Sequence, residues 1–551
     1  MATNTPDVPA TDGAPQTDSG EYTHAQILTI MSGLMLGMFL ASLDQTIVST
    51  SIRTIADDLQ GLSIQAWATT SYLITATITT PIYGKLGDLY GRKKLFLFAI
   101  TVFILGSALC SFAGSMTQLA VFRAFQGLGA GGLFTLVLAI IGDLVSPRER
   151  ARYTGYFMAM FGTSSVLGPL VGGFFAGQDS LLGVTGWRWV FLVNVPIGLA
   201  ALVVVTRTLH LQKPSTAGRG KVRIDWWGAA ALVVALVPVL TVAEQGRDWG
   251  WASGRSVAAY VVGALGLVAF VLAERRMGDA ALIPPKLFRI RAAVVTVAAS
   301  VVVGVAMFGG IMLLPLYMQI VHGASPTESG LLMLPMVGGM MVASIGSGRI
   351  ISRTGKVRVW PIIGSAMITV SLVLLSFTTA DTALGLVMAA MFLLGLGLGQ
   401  CMQPLLLTLQ SAVPPTDIGV ATSSATFFRQ MGGTLGVAVL LSVLFGTVGG
   451  NIQTAFADAS DDPVVAGALA DPAFQETVAG VQDDSSVIET LEPALAHPIQ
   501  VGFAESMDSV FLLSAGAGLL AFLILLMMPA VELRATSAAA AVRAAQGPQE
   551  T

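Results

Sequence analysis

Long apolar runs, separated by short polar links, fill this chain from residue 26 to residue 530. A helix needs about 20 apolar residues to cross the hydrocarbon core of a bilayer. The runs predict helices near residues 26–52, 62–83, 95–114, 117–141, 153–177, 188–209, 226–246, 256–274, 292–320, 327–351, 359–379, 382–408, 418–446 and 506–530. The pattern therefore predicts an all-α polytopic membrane protein with fourteen transmembrane helices.

Composition points to the same class. Hydrophobic residues make up 54% of the 551 positions and charged residues only 11%. A soluble domain averages about a quarter charged residues, so this chain cannot cover a water-facing surface. Residues 1–25 are mostly polar and lack the layout of a cleavable signal peptide, and we expect them to form a disordered tail.

Basic residues are concentrated on one side of the predicted topology. Of the 29 Lys and Arg residues, 23 lie in 84–94, 148–152, 207–223, 275–291, 349–358 and the C-terminal tail. Because cytoplasmic loops are enriched in Lys and Arg, both termini are expected in the cytoplasm. On the opposite side, the loop predicted at 449–505 contains ten Asp or Glu and no Lys or Arg. This loop is either an acidic vestibule that attracts cations or a solvated loop with some helix of its own.

One polar link occurs twice in degenerate form. "GKLGDLYGRKK", which starts at Gly84, has a counterpart in "GRIISRTGKVR", which starts at Gly348. The glycines and several cations keep their spacing, whereas Ser352 stands where the first copy has Asp88. A duplicated membrane half is typical of transporters in which two helix bundles rock around a central site.

The repeat predicts a division of the chain into two related bundles. The predicted units are an N-terminal six-helix bundle at 26–209, two inserted helices with cytoplasmic linkers at 210–291, a C-terminal six-helix bundle at 292–530 that includes the acidic loop, and a cytoplasmic tail at 531–551.

Five segments, taken in order, resemble the motifs of a known family. They are "LDQTIVSTSIRTI" (43–55), the link at 84–94, "RAFQGLGAGG" (123–132), "GYFMAMFGTSSVLGPLVGG" (155–173) and "WRWVFLVNVPIG" (187–198). Together they resemble the major facilitator superfamily, and specifically its fourteen-helix drug:proton antiporter branch, the EmrB/QacA type. One departure is Arg53, where that branch usually has a proline. The resemblance implies two six-helix bundles, alternating access, and the proton as coupling ion with no other cofactor.

Asp44 and Arg123 are the candidates for proton coupling. A charged side chain well inside a membrane helix is costly and marks a functional site by default. Asp44 lies roughly 27 Å along the first predicted helix, and Arg123 enters the fourth from the other face, so their depths match to within about a turn. We therefore expect Arg123 to act on Asp44 directly or through water, with Gln126 able to relay. A purely structural ion pair is the alternative interpretation.

The link at 84–94 is predicted to act as a conformational gate. Gly84 and Gly91 permit close approach of the backbone. Asp88 is placed to meet the positive N-terminal end of a helix in the opposite bundle and to pair with Arg92. By resemblance, this contact would hold the cytoplasmic side shut, and it would be one-sided because the second copy lacks the acid.

The fifth predicted helix carries a stripe of small residues with one proline: Gly155, Gly162, Gly168, Pro169, Gly172 and Gly173. Small residues allow close helix packing, and proline bends a helix. The preference for efflux over uptake comes from the resemblance of this segment to the antiporter motif, since the packing itself would suit either direction.

Candidates for binding the transported compound are more scattered: Gln45, Gln126, Glu244, Tyr317, Gln319, Gln400, Gln403 and Arg429. Glu244 can equally well face water. Arg429 is a charge inside a predicted span without an obvious acidic partner. Because few carboxylates other than Asp44 lie deep in the predicted spans, we expect neutral or monocationic hydrophobic compounds.

The sequence thus predicts a proton-coupled antiporter that exports hydrophobic drugs or antibiotics, expected as a monomer among the lipids of a bacterial cytoplasmic membrane. The alternatives are a dedicated exporter of one metabolite, siderophore or lipid, an antibiotic self-resistance pump, or a receptor or scaffold that does not transport. No nucleotide-binding loop or metal-ligand spacing is present. An enzyme, an ATP-driven pump, a metal site and a nucleic-acid partner are therefore not expected.

Overall fold

The computed structural model describes residues 24–60, 66–145, 147–209, 225–414, 417–472 and 491–531, with 474, 475, 478, 488 and 533 as isolated positions. The predicted tail before residue 24, the linker 210–224 and the tail beyond 533 lie outside these described residues. So does most of the segment 473–490 within the predicted acidic loop.

Helices make up nearly all of the described chain. The first half contains α1 (His24–Asp58), α2 (Ala66–Tyr90), α3 (Arg92–Ser111), α4 (Met116–Leu144), α5 (Pro147–Ala176), α6 (Trp189–Leu192) and α7 (Asn194–Thr208). Next come α8 (Trp226–Trp249) and α9 (Gly254–Met277). The second half contains α10 (Arg291–Ile320), α11 (Pro326–Leu332), α12 (Leu334–Thr354), α13 (Val359–Leu375), α14 (Leu384–Ala412), α15 (Ile418–Asp458), α16 (Pro463–Leu469) and α17 (Pro493–Leu526). A two-stranded hairpin, β1 (Ser180–Leu181) and β2 (Val184–Thr185), follows α5.

Each predicted span corresponds to helix in the described chain. By length and composition alone, eleven of the described helical segments are able to cross a membrane. These include α6 and α7 together, which form the single segment Gly186–Thr208. Of the remaining long helices, α2 and α5 contain 25 and 30 residues, and α13 is apolar with 17 residues. The prediction of an all-helical membrane protein is therefore confirmed, and the count of fourteen spans stays a prediction.

The predicted loop at 449–505 contains helix at both ends. Helix α15 continues to Asp458, and α17 begins at Pro493 rather than near residue 506. A Cβ on Gly502 would lie 2.5 Å from the backbone nitrogen of Ile452, so α15 and α17 touch along these extensions. The buried Ile499 and Phe503 belong to the same contact region. The two helices pack on each other beyond the apolar runs of the sequence. The connection between them spans only 459–492.

Two groups of helices pack around separate axes. In the first half, α1 packs on α5 and α7, α4 packs on α2 and α3, and α3 also contacts α7. In the second half, α10 and α17 both pack on α15, α14 packs on α12 and α13, and α13 also contacts α17. We call these groups the N bundle and the C bundle.

The bundles meet along two seams. Helix α5 lies against α12, and α2 lies against α15, with further contacts from α4 to α15 and from α5 to α14. The helices α8 and α9 pair with each other as an inserted hairpin, and α8 contacts both α2 and α15. The inserted hairpin therefore lies across one seam and touches both bundles.

Two glycines and a capping aspartate mark helix boundaries near the functional sites. Gly91 has φ 94°, a left-handed conformation that L side chains rarely adopt, and it separates α2 from α3. Gly355 has φ 69° and ends α12 at the same position of the second repeat copy. Asp225 caps α8 by accepting a hydrogen bond from the backbone N–H of Gly228.

Candidate functional site

A buried polar network surrounds Asp44 in the N bundle. Arg123 Nη1 donates to Asp44 Oδ2 at 2.6 Å and to Gln126 Oε1 at 2.7 Å. Gln126 Nε2 and Asn194 Nδ2 both donate to Asp44 Oδ1, at 2.8 and 2.7 Å. Asp44, Gln126 and Asn194 are 0% exposed, and Arg123 is 1% exposed. The structure therefore places both predicted coupling residues, and the predicted relay Gln126, in one buried cluster.

Aromatic and backbone groups hold the guanidinium of Arg123 from its other sides. Arg123 Nε donates to the carbonyl oxygen of Ala68 at 3.1 Å. The guanidinium lies over the ring of Tyr72, 4.1 Å from its centroid. A cation on an aromatic face is stabilised by the ring quadrupole, more so away from water. Arg123 thus keeps several partners that do not depend on the charge of Asp44.

The geometry satisfies both side-chain oxygens of Asp44. Asp44 accepts three hydrogen bonds, one of them from a cation. A buried ion pair is tolerated only when its geometry is good and the remaining lone pairs are satisfied.

A second polar site joins the two bundles at the end of α2. Asp88 Oδ2 accepts a hydrogen bond from the backbone N–H of Val420, at 3.0 Å, in the first turn of α15. Asp88 Oδ1 accepts from Arg92 Nη2 at 2.8 Å, and Arg92 also pairs with Asp143 at 2.7 Å. We call the contact of Asp88 with Val420 the latch, and this end of the bundles the latch end.

Two glycines make the latch possible. A Cβ on Gly84 would lie 2.1 Å from Ser423 Oγ, and a Cβ on Gly419 would lie 2.2 Å from Asp88 Oδ1. Neither position has room for a side chain, so α2 and α15 reach this distance only with glycine at both. The carboxylate then meets the positive end of the α15 dipole.

The second repeat copy makes no matching contact. Ser352, which occupies the position of Asp88, donates to the carbonyl oxygen of Arg349 within its own helix, at 2.8 Å. A serine held by its own helix supplies no charge for a helix end in the other bundle. Among the described residues, the latch is therefore one-sided.

Comparison with known proteins gives the family. Residues 34–437 match the family model described as Major Facilitator Superfamily. The chain belongs to the major facilitator superfamily. "Multidrug resistance protein 3" of Bacillus subtilis (strain 168) is 35% identical to this transporter over 443 residues, which cover 79% of this chain and 82% of the relative. "Multidrug transporter protein MdtP" of the same organism is 34% identical over 437 residues, covering 79% and 78%.

A solved structure supports the fold. The proton:xylose symporter XylE, bound to 6-bromo-6-deoxy-D-glucose, superposes with a TM-score of 0.57 at 14% identity, covering 95% of this chain and 99% of that one. At this identity the likeness concerns the fold alone. The prediction of a superfamily transporter is confirmed, while membership of the fourteen-helix drug:proton antiporter branch stays a prediction.

In this transporter the α5 glycines face two different partners. A Cβ on Gly168 would lie 2.1 Å from Thr46 Oγ1 of α1, and one on Gly172 would lie 2.9 Å from the carbonyl oxygen of Ile47. Gly162 faces the other bundle instead, where a Cβ would lie 2.3 Å from the side chain of Val337 of α12. Pro169 lies inside α5 between the two α1 contacts.

The close approach expected at every α5 glycine is wrong for Gly173, because no atom of the described residues lies within 4 Å of the position of its Cβ. Gly155 lies in α5 as well, but its surroundings fall outside the described residues.

The candidate substrate residues of the transporter do not form one cluster. Tyr317 is 0% exposed, donates to Thr378 at 3.1 Å and packs on His322, with ring centroids 5.4 Å apart. Burial lowers the pKa of His322, which favours the neutral imidazole. Gln319 donates to Ser329 at 3.4 Å. These side chains are held inside the C bundle.

The glutamines of α14 have spare hydrogen-bonding capacity. Gln400 Nε2 contacts the sulfur of Met367 at 3.4 Å, and Gln400 Oε1 has no partner in the described chain. Gln403 Nε2 is buried without a partner there as well. Gln45 is half-buried beside Asp44 on α1. Glu244 lies near the end of α8, and its side chain falls outside the described residues.

Arg429 is a half-buried cation on α15. The described part of the chain offers it no ion pair or hydrogen bond. The next residue, Gln430, accepts a hydrogen bond from Thr80 of α2 at 3.4 Å, so this turn of α15 lies at the seam between the bundles.

Asn194 and Asp143 are site residues that the sequence analysis did not single out. Asn194 lies inside the quoted segment "WRWVFLVNVPIG", where an amide in an apolar helix is itself a signal of a polar contact. It also donates to Ser107 Oγ at 3.0 Å, which fixes the orientation of its amide. Asp143 is a lone acid at the end of α4, and only the fold shows that it meets Arg92.

Proposed function

We propose that this transporter exports hydrophobic, neutral or monocationic compounds, including drugs, from a bacterial cell in exchange for protons. The observation that supports it most strongly is the ion pair of Asp44 with Arg123, which is fully buried and has two further amide donors. Two relatives from Bacillus subtilis carry multidrug names, and the α5 segment resembles the antiporter motif.

Proton coupling follows from what happens to Arg123 when Asp44 changes charge. Uptake of a proton on Asp44 leaves Arg123 without a counter-charge, although Gln126, Ala68 and Tyr72 still contact it. The two protonation states therefore differ in the energy of the whole cluster, and a ligand shifts a conformational equilibrium only through such a difference. Inward movement of the proton supplies about 2.3 kcal/mol per 100 mV of membrane potential.

Alternating access gives the latch its part in the cycle. With Asp88 on the N-terminus of α15, the latch end is held shut, and the substrate path is expected to open on the opposite side. The basic links at 84–94, 275–291 and 349–358 assign the latch end to the cytoplasm. In this proposal, all fourteen long helices cross the membrane, both termini are cytoplasmic and the protein acts as a monomer.

Arg429 limits the substrate class. A cation without a described acidic partner, at the seam between the bundles, disfavours dications and suits compounds with hydrogen-bond acceptors. The same residue favours a second candidate function. One fixed charge would suit a dedicated exporter of a single endogenous metabolite that carries an acidic or strongly accepting group.

The test is a proton-flux assay in inverted membrane vesicles that contain the transporter. After the vesicles are acidified inside, addition of an exported compound should release protons. Many chemically different dyes in a panel should each cause this release. A response to one compound class alone favours the dedicated exporter. Absence of proton release with any compound, or movement of protons together with the compound, contradicts the proposal.

A further inference from the structure

Two buried carboxyl groups meet where the inserted hairpin returns to the latch end. Asp225 precedes α8 and is 1% exposed, while Glu274 lies in the last turn of α9 and is 4% exposed. A Cβ on Gly228 would lie 2.4 Å from Asp225 Oδ2 and 3.0 Å from Glu274 Oε1. Both carboxyl oxygens thus lie within 3.0 Å of the same point.

Backbone groups satisfy three of the four oxygens. Asp225 Oδ1 accepts from the N–H of Gly228 at 2.6 Å. Glu274 Oε1 accepts from the N–H of Leu282 at 3.1 Å, and Oε2 from that of Ile283 at 2.9 Å. Asp225 Oδ2 is buried and has no hydrogen-bond partner in the described chain. A buried carboxyl oxygen without a donor is costly, and the facing oxygen of Glu274 is a second acceptor.

One cation reaches this pair from the N bundle. Lys85 of α2 is 7% exposed, and its charge acts on Glu274. Ile82, one turn earlier on the same face of α2, packs on the apolar cluster that includes Leu282 and Ile283.

The other charged side chains that the structure describes near the hairpin do not compensate the pair. Arg275 and Arg276, next to Glu274 on α9, are exposed. Lys286 pairs with Asp417 at 2.9 Å. From α15, the residues that pack on this cluster are all uncharged: Phe427, Phe428, Met431 and Leu435. Among the described residues, two ionised carboxylates beside a single lysine would leave one buried negative charge, and neighbouring like charges disfavour full ionisation of both.

We propose that Asp225 and Glu274 form a second proton-binding site, in which one proton is shared between Asp225 Oδ2 and Glu274 Oε1 while the latch is closed. The proton comes from, and returns to, water at the latch end. Lys85 ties the occupancy of this site to the position of α2, only three residues before the latch residue Asp88. The site is separate from Asp44, and its test does not depend on export.

The test is infrared spectroscopy of the purified full-length transporter in lipid nanodiscs across a pH series. The carbonyl stretch of a protonated carboxyl group reports the shared proton directly. Asp225→Asn and Glu274→Gln should each lose one such band that the wild type shows near neutral pH. Asparagine is as good a helix cap as aspartate, so Asp225→Asn should fold normally. Asp44→Asn and the exposed Asp381→Asn are matched controls that should keep the band.

Lys85→Met tests the link to α2. Removal of the nearby cation favours the protonated form, so the band should persist to more alkaline pH than in the wild type. A spectrum without a band that both Asp225→Asn and Glu274→Gln remove would overturn the proton site. A band whose pH dependence is the same in Lys85→Met would overturn its coupling to α2.

Discussion

Asp88→Asn should shift the conformational equilibrium of this transporter away from the latched state. The contact of Asp88 with Arg92 lies within one bundle, between residues four apart at the link of α2 and α3, and can persist when the bundles separate. The contact with the N–H of Val420 joins two bundles and must break. Only the second contact distinguishes the two states, so only its energy biases them.

The magnitude follows from the geometry of the latch. The side chain of Asp88 is 8% exposed, so solvent screens it little. A hydrogen bond to a charged group contributes about 1.5–3 kcal/mol, and a neutral one about 0.5–1.5 kcal/mol. Loss of a charge at a helix N-terminus costs about 0.3–1 kcal/mol more. Asparagine should therefore weaken the latched state by about 2 kcal/mol, which is a roughly 30-fold shift in the equilibrium.

Pulsed electron paramagnetic resonance can measure this shift. Spin labels at Tyr90 and Ile350, which are 51% and 47% exposed, report the separation of the latch ends of α2 and α12. Asp88→Asn should enlarge the population with long distances. Ser352→Ala is the matched control: among the described residues Ser352 bonds within its own helix, so its loss should leave the distances unchanged. Identical distance distributions in Asp88→Asn and the wild type would refute the latch.

Further predictions concern the packing of α5 and the support of Asp44. Gly168→Ala should destabilise the protein by about 1–3 kcal/mol through overpacking against Thr46, whereas Gly173→Ala, with open space around it, should be nearly neutral. Thermal unfolding in detergent compares the two, and equal melting temperatures would contradict the packing argument. Asn194→Ala removes a hydrogen bond to a buried carboxylate, worth about 1.5–3 kcal/mol, and should reduce proton-driven transport roughly 10-fold or more in vesicles. Unchanged transport would exclude Asn194 from the coupling site.

Helix positions were predictable because the length of each apolar run can be read from the sequence. The ends of α15 and α17 were not, because hydropathy measures the part of a helix that lies in lipid. Beyond that part, Gly502 and Ile452 hold the two helices together by mutual packing, which no single apolar run reveals. The acidic residues nearby made the whole stretch resemble a loop.

The site was predictable to the extent that depth in the membrane constrains it. Asp44 and Arg123 are charges in apolar helices with matching depths, so their contact followed from geometry. Asn194 comes from a third helix, and its distance to Asp44 depends on how α7 lies against α1 and α3. Likewise, the meeting of Asp225 with Glu274 depends on the hairpin turn, since 49 positions of sequence separate them. Contacts that depend on how separate helices pack against each other could not be predicted without the fold.

The most direct test of proton coupling is export by Asp44→Asn in two assays on the same vesicles. Asparagine keeps the hydrogen-bonding shape of the side chain but cannot carry the proton. The variant should still exchange compound down its own gradient, which shows that it folds and binds, and should fail to accumulate compound against the gradient when a proton gradient is imposed. Uphill accumulation by Asp44→Asn at the wild-type rate would contradict the assignment of Asp44 as the coupling residue.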